Sequence, residues 1–416
     1  MTIARQTSRI SDAPLVELFS LGDMCLSDFV DDCAGEIKKV PLTMALDGKS
    51  GLLQLMHTAP FEKMYENYWY RSGMNKTMTE ELKGIAHKTE SLIAYEEGDV
   101  ALDIGCNDGT LLGCYGKNIY RVGFDPAKNL RKYSVKRADM IVTDYFSADT
   151  YLQQVNKRAK IITTIAMFYD LEDPNAFVSD IEMVLDQNGL WIIQMSYMPL
   201  MLKQRAFDNI CHEHLEYYSL SSLRYLLEQH DLKIVDVELN DTNGGSFRIY
   251  VRKVGCDDTM FATAPYRDVA AFRTESLNLY EQSLNLNDPV VYTQWFDTLV
   301  QLREKTINFI KSEKSKGKTI WGYGASTKGN TLLQWYGLDN MIIDAIAEKN
   351  KDKFGLKTPG TNIAIKSESE MRKAAPDYLL VLPWHFISEF TIREAAYLES
   401  GGKIIVPLPD FQIISK

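Results

Sequence analysis

Val100-Ala101-Leu102-Asp103-Ile104-Gly105-Cys106-Asn107-Asp108-Gly109-Thr110 runs from an apolar stretch into a glycine turn, with a carboxylate two residues before the first glycine. A short apolar run bounded by turn residues reads as a strand buried on both faces, and glycine serves where backbone must approach a ligand. A dinucleotide fingerprint would be G-x-G-x-x-G, with a pyrophosphate on the helix start. An acid at the strand end repels a pyrophosphate and suits a cationic ligand instead. About twenty residues on, Val122-Gly123-Phe124-Asp125-Pro126 puts a second acid at the end of the next strand, where it can accept the hydroxyls of a ribose.

Around this stretch, apolar runs at 121–124, 140–142, 161–165 and 190–195 alternate with helical patterns, which predicts a parallel, doubly wound α/β sheet. Runs at 232–239 and 246–251 flank Asn243-Gly244-Gly245 and predict a closing antiparallel pair, since Asn-Gly favours a tight turn. A charged helix over 290–316 opens a second alternation: strand 319–323, a helix through 332, strands 342–346 and 378–382, a helix from 388 and strand 403–406. Residues 15–21, 41–46 and 52–56 read as short strands of a small N-terminal module. The expected division is 1–75 for that strand and loop module, 76–255 for the first Rossmann-like domain and 256–416 for a second, C-terminal one.

The 416 residues carry a formal net charge of −10, which argues against partners such as nucleic acid or an anionic membrane. No apolar stretch approaches the ~20 residues needed to span a bilayer, and residues 1–14 lack the apolar core of a signal peptide. The six cysteines (25, 33, 106, 114, 211 and 256) contain no C-x-x-C pair, so a reduced, cytoplasmic protein is expected.

The order of acid, glycine turn and second acid resembles the class I S-adenosylmethionine-dependent methyltransferases. That resemblance implies S-adenosylmethionine as cofactor. Asp103 with Gly105, Asn107 and Gly109 would hold its amino-acid part, and Asp125 its ribose. Asp144 and Tyr145, after the third strand, fall where the family contacts adenine. Ala166 and Met167, after the fourth, fall where the methionine part meets the substrate.

After the last parallel strand comes Cys211-His212-Glu213-His214-Leu215, in which two of the chain's six histidines bracket a carboxylate. Groups that exchange protons near pH 7 thus gather beyond the carboxyl ends of a parallel sheet, where ligands bind. The alternative is a polar turn between two elements. The whole resembles the nucleotide-sugar C-methyltransferases that act on 4-keto-deoxyhexoses, which join a zinc-ribbon-like module, a methyltransferase domain with a Tyr-His-Glu-His-Leu-type segment, and a C-terminal Rossmann-like domain. The likeness also takes in Ser20-Leu21-Gly22, Leu26-Ser27-Asp28, Tyr68 to Gly73, Asn243-Gly244-Gly245-Ser246, residues 321–334, Lys357-Thr358-Pro359-Gly360 and Val406-Pro407-Leu408-Pro409. It implies an enolate generated beside a ketone, with His214 as base, His212 as runner-up, and Glu213 orienting an imidazole or holding sugar hydroxyls. Tyr70 would donate to the enolate oxygen or pack under the cofactor.

Two departures stand out. Cys211 occupies the place of the family tyrosine. The family's cysteine pairs have no counterpart, since Cys25, Cys33 and His57 are not spaced as pairs, so no zinc is expected.

A second glycine turn, Ile320-Trp321-Gly322-Tyr323-Gly324-Ala325-Ser326-Thr327-Lys328-Gly329-Asn330, has no preceding acid. A helix start with hydroxyls and a lysine suits a diphosphate; packing alone is the alternative. Tyr323, Ser326, Lys328 and Asn330, with Arg248 and Asn209, are the expected contacts to a nucleotide-sugar substrate. A monomer or homodimer is expected. The rival readings are an O-methyltransferase, another nucleotide-linked acceptor on the same scaffold, and a relative that has lost catalysis. A dehydrogenase is disfavoured by the lack of a true G-x-G-x-x-G loop.

Overall fold

The computed structural model describes residues 2–26, 29–31, 38–60 and 68–416; Ser27, Asp28 and Cys33 lie outside the described residues. Near the N-terminus, β1 (Ile3–Ala4) pairs with β5 (His57–Thr58), while β2 (Leu15–Cys25), β3 (Lys39–Asp47) and β4 (Leu53–Leu55) form an antiparallel sheet.

The central sheet contains β6 (Val100–Ile104), β7 (Tyr120–Phe124), β8 (Met140–Val142), β9 (Ala159–Ile165) and β10 (Leu185–Ser196), all parallel. All five residues of β6 are buried, as its uninterrupted apolar run requires. The short β11 (Glu216–Tyr217) leaves this layer. β12 (Leu232–Asn240) and β13 (Ser246–Lys253) then return to it as an antiparallel pair. Their connection through Asn243, Gly244 and Gly245 has three successive positive φ values of 54°, 86° and 115°, which explains the Asn-Gly-Gly composition. The resulting order is β12-β13-β10-β9-β6-β7-β8, and the order in which parallel strands are added reverses between β6 and β9. A ligand crevice belongs at that reversal.

The C-terminal sheet comprises β14 (Ile320–Tyr323), β15 (Ala345–Glu348), β16 (Ile365–Ser367), β17 (Tyr378–Val381), β18 (Lys403–Val406) and β19 (Gln412–Ile414). Its order is β16-β15-β14-β17-β18-β19, with only β19 antiparallel. The expected strand at 342–346 starts later, because Ile342 N and Ile343 N donate to Asp339 O at 3.0 and 2.8 Å and hold that stretch in a turn. The helix expected through 332 runs over Thr327–Tyr336 and stops at left-handed Gly337. β16, β19 and the helix Ala264–Ser283 are additional to the elements drawn from the sequence.

The Cys211–Leu215 segment sits where the sheets meet. Immediately after it, β11 joins the N-terminal sheet, with Glu216 opposite Gln54 and Tyr217 opposite Leu53. A capping box at Ser219 and Ser222 then starts the helix Leu220–Glu228. Before it, Phe207 stacks on Tyr336 at a ring separation of 5.6 Å, and Trp384 Nε1 donates to Asp208 Oδ2 at 3.0 Å. One apolar core runs continuously from Leu42 and Leu55 through Met198, Phe207 and Leu215 to Leu333 and Ile346. The segment is therefore pinned from three sides.

Candidate active site

The first glycine turn closes onto the end of β7. Gly105 N donates to Phe124 O at 2.9 Å, and Asn107 N donates to Asp125 Oδ2 at 2.7 Å. Asp125 Oδ1 accepts Ala127 N at 2.9 Å. Burial pushes the Asp125 carboxyl up to about 6 against these amides. Asp103 is only 3% exposed and accepts a 2.6 Å hydrogen bond from Thr163 Oγ1. Burial pushes it up to about 7, Thr163 opposes the rise, and the Asp125 charge adds to it.

Asn107 and Ala166 lie at positive φ, 51° and 55°, at the ends of neighbouring strands. Ala166 N donates to Gln194 O at 2.7 Å, and Met167 packs across Gly105. Two strained non-glycine residues beside one turn mark a backbone held in shape by its surroundings. Asp144 and Tyr145 are exposed after β8. A buried, uncompensated carboxylate at a glycine turn, with a second acid across from it, fits a ligand that is cationic at one end and bears a diol at the other.

A strap of residues 68–73 lies over this turn. Asn107 Nδ2 donates to Tyr70 O at 3.1 Å, Ser72 N to Asn107 Oδ1 at 3.1 Å and Gly73 N to Asp108 Oδ2 at 3.1 Å. On its other side Trp69 stands edge-on to Phe29 at 6.1 Å, and Asn350 Nδ2 reaches Trp69 O at 3.5 Å. The strap thus bridges the first glycine turn and the C-terminal sheet.

Beneath it is a crevice of about 1140 Å3, walled by Tyr70, Glu213, Asn243, Lys328, Glu348 and His385 among others. Lys328 Nζ makes a long contact of 3.5 Å to Asn243 O, and burial lowers its pKa. His385 is held neutral, at about 3, first by burial and then by the Lys328 charge. Ser326 caps the helix Thr327–Tyr336, its Oγ accepting Gly329 N at 3.0 Å. Tyr323 OH is committed to Glu394 at 2.7 Å and Glu368 at 3.1 Å, while its residue still lines the crevice. Asn330 is buried, and its Nδ2 has no partner among the described residues.

The His-Glu-His residues point three ways. His212 is turned from the crevice: its Nε2 lies 2.9 Å from Val40 O on β3, and it is buried there. Glu213 lines the crevice and receives a long 3.5 Å contact from Cys211 Sγ. His214 Nδ1 lies 2.8 Å from Asn209 O. A carbonyl only accepts, so Nδ1 carries the proton and Nε2 keeps the lone pair. Burial, followed by the Lys328 charge, lowers His214 to about 3. Its ring packs edge-on against Tyr169 at 4.4 Å. Asn209 is itself buried and reaches the site through this carbonyl, not through its amide.

Arg248 stands away from the second glycine turn. Its guanidinium donates to Gln194 Oε1 at 2.8 Å and Glu81 Oε1 at 2.6 Å, and lies 3.7 Å from Glu238. Those carboxylates occupy it, which corrects the expectation of a phosphate contact. Sequence reading passed over Glu348, Lys353 and the Asp208–Trp384 link. An acid ending the strand after a glycine turn was a usable signal for the first of these; the other two depend on folding.

Residues 71–237 match a methyltransferase domain family, and residues 241–409 match the C-methyltransferase C-terminal domain family. The C-methyltransferase NovU of Streptomyces niveus is 28% identical over 388 residues, covering 92% of this chain and 90% of its own. Among solved structures, the Haloferax volcanii complex of the Trm112 methyltransferase activator and a putative methyltransferase is 14% identical with a TM-score of 0.36, covering 44% of this chain and 94% of that one. Magnesium protoporphyrin IX methyltransferase from Synechocystis PCC 6803 gives 12% and 0.31, covering 42% and 79%. The chain thus joins a methyltransferase domain, built on the β12-β13-β10-β9-β6-β7-β8 sheet, to a C-methyltransferase C-terminal domain.

Proposed function

We propose that the protein methylates a carbon atom of a nucleotide-linked keto-deoxysugar, with S-adenosylmethionine as methyl donor. The observation that carries this reading is the crevice onto which Glu213 and Lys328 both face, beside a glycine turn suited to a cationic donor and another suited to an anionic substrate. S-adenosylmethionine, when bound, supplies an electrophilic methyl group. In this reading Asp103 takes its ammonium group, Asp125 the ribose hydroxyls, and Asp144 and Tyr145 lie toward the adenine.

Carbon becomes a nucleophile when a proton next to a ketone is removed and the enolate oxygen is stabilised. His214, held by Asn209 as the Nδ1–H tautomer, offers Nε2 to that proton. Alone it would be a weak base, because burial and the Lys328 cation disfavour the imidazolium. An enolate forming beside Lys328 neutralises the charge that depresses His214, so loss of the proton and growth of negative charge on oxygen assist each other. Glu213 holds the sugar hydroxyls or balances the imidazolium, and Tyr70 closes the outer wall. The Ser326–Lys328 helix start is left for the diphosphate.

The test is solvent exchange on a panel of nucleoside-diphosphate 4-keto-6-deoxyhexoses in heavy water. Deuterium should enter the carbon next to the ketone, and His214→Gln should slow that entry by about 10²–10⁴-fold. Donor addition should then give a new carbon–carbon bond. A methyl ether without exchange would identify an O-methyltransferase and refute the enolate; unaltered exchange in His214→Gln would remove the assigned base.

A further inference from the structure

The two glycine turns are built alike, with one difference that decides what each accepts. In the central sheet Gly105 (φ 72°) donates from N to the carbonyl of Phe124, and the next residue, Asp125, accepts a loop amide (Asn107 N) and an amide of its own turn (Ala127 N). In the C-terminal sheet Gly324 (φ 84°) donates from N to Ala347 O at 2.8 Å. The next residue, Glu348, accepts a loop amide (Ala325 N, 2.9 Å) and two amides of its own turn (Lys349 N, 2.7 Å; Asn350 N, 2.8 Å). Asp125 follows and Glu348 ends the second strand of a sheet whose strand order reverses beside its first strand. That is the place where a nucleotide pentose is read in such sheets.

The difference lies two residues before the glycine. There the central sheet has Asp103, whereas the C-terminal sheet has Gly322. The first turn therefore repels an anion and the second does not. Lys328, Lys349 and Lys353 line the crevice at the second turn, facing a wall that also holds Glu213, Glu348, Glu368 and Glu389. Lys353 Nζ donates to Ala325 O at 2.7 Å, beside the Glu348 contact to the same residue, which fixes the loop against the acid.

Glu348 also has a countable vacancy in its hydrogen bonding. A carboxylate offers about four lone-pair sites. Among the described residues, Oε1 accepts two amides and Oε2 accepts one, which leaves one acceptor position on Oε2 in a residue that lines the crevice. We propose that Glu348 accepts a pentose hydroxyl of the substrate's nucleotide through Oε2, and so sets which way the substrate lies. The diphosphate then crosses the Ser326–Lys328 helix start, and the keto sugar points inward to Glu213, Lys328 and His385. This assignment rests on the nucleotide-linked reading above and adds the group that recognises the nucleoside end.

The experiment is calorimetric binding to the full chain, with S-adenosylhomocysteine present, of UDP, CDP, GDP, ADP and dTDP, each against its counterpart lacking the pentose hydroxyls. A hydrogen bond to a charged acceptor predicts that the tightest of the five weakens by about tenfold or more on losing those hydroxyls. Glu348→Gln should lose a similar factor for the parent nucleotide and none for the dehydroxylated one. Equal affinities within the pair for the unaltered protein overturn the assignment, whether or not the variant folds. An equal loss for both ligands in Glu348→Gln also overturns it, because that is the signature of a loop-folding role alone. If no nucleoside diphosphate binds, both this assignment and the nucleotide-linked reading fall. Methyl transfer to a nucleotide sugar without hydroxyl discrimination removes Glu348 alone.

Discussion

Asp103 sets stability and donor binding against each other, and Asp103→Asn separates them. The folded protein raises this carboxyl from 3.8 to about 7, chiefly by burial. A folded-state value above the unfolded one means that the folded chain holds the proton more tightly. Ionisation therefore costs nothing well below pH 3.8, costs progressively more through the interval, and reaches its full cost above pH 7. At 1.36 kcal/mol per unit, the penalty is about 1.5 kcal/mol at pH 5 and about 4 kcal/mol at pH 8. Asparagine keeps an oxygen for the Thr163 hydroxyl and cannot ionise. Relative to the unaltered protein, the variant should gain about 2.5 kcal/mol between pH 5 and pH 8, an upward drift in the melting-temperature difference on the order of 5–10 °C.

Scanning calorimetry across that range, without ligand, reads the drift directly. The same variant should lose the proposed methyl donor, whose ammonium would lower the Asp103 pKa and expel a proton on binding near pH 7. Titration of the unaltered protein in buffers of different ionisation enthalpy measures that proton. A difference in melting temperature that does not change with pH, or that shrinks as pH rises, would refute the reasoning from Asp103 burial.

Two further substitutions test how the site is held. At Gly109 (φ 75°) an added Cβ would lie 3.0 Å from Ser134 Cα, so Gly109→Ala should destabilise by about 1–3 kcal/mol and weaken donor binding, read by thermal unfolding and titration. Arg9 and Glu216 are both buried, 3.4 Å apart, and link the N-terminal module to the residue two beyond His214. Burial already holds Glu216 well above its ordinary value despite Arg9, so Arg9→Met should cost less than the roughly 3–5 kcal/mol of a fully ionised buried pair, and adding Glu216→Gln should restore part of it. Additive losses in the double variant would show that the pair is not coupled.

The sequence was most informative where backbone conformation and burial are dictated locally. The continuous apolar run of β6 with its glycine turn, and the Asn-Gly-Gly connection between β12 and β13, could each be read within about ten residues, because strand burial and positive φ restrict composition strongly. β11 could not, since two residues carry no period. Its pairing with Leu53 and Gln54 arises only once the N-terminal sheet offers an edge. Side-chain direction in an irregular turn is equally hidden: nothing in Cys211-His212-Glu213-His214 signals that His212 faces Val40 while Glu213 faces the crevice. Arg248 was misread for a related reason, because its partner Glu81 is 167 residues away in the chain.

Cys211 bears on how the proposed chemistry is shared. Its thiol is fully buried and pushed well above its ordinary value by burial, and the Glu213 charge adds to the rise. It is therefore protonated at neutral pH and acts as a donor, toward Glu213 Oε2 at 3.5 Å. A group that keeps its proton cannot take one from carbon. Where the resemblance to the nucleotide-sugar C-methyltransferases leads to an expected phenol, this chain carries a small donor toward a carboxylate, and Tyr217, the neighbouring phenol, is spent on the backbone carbonyls of Asn209 and His214. In the proposed mechanism, acceptance of the proton falls to Nε2 of His214, whose tautomer that same Asn209 carbonyl sets, while Glu213 lines the crevice. The weak basicity of the buried imidazole makes such a site dependent on Lys328: base and electrophile operate only as a pair, one becoming competent as the other is neutralised.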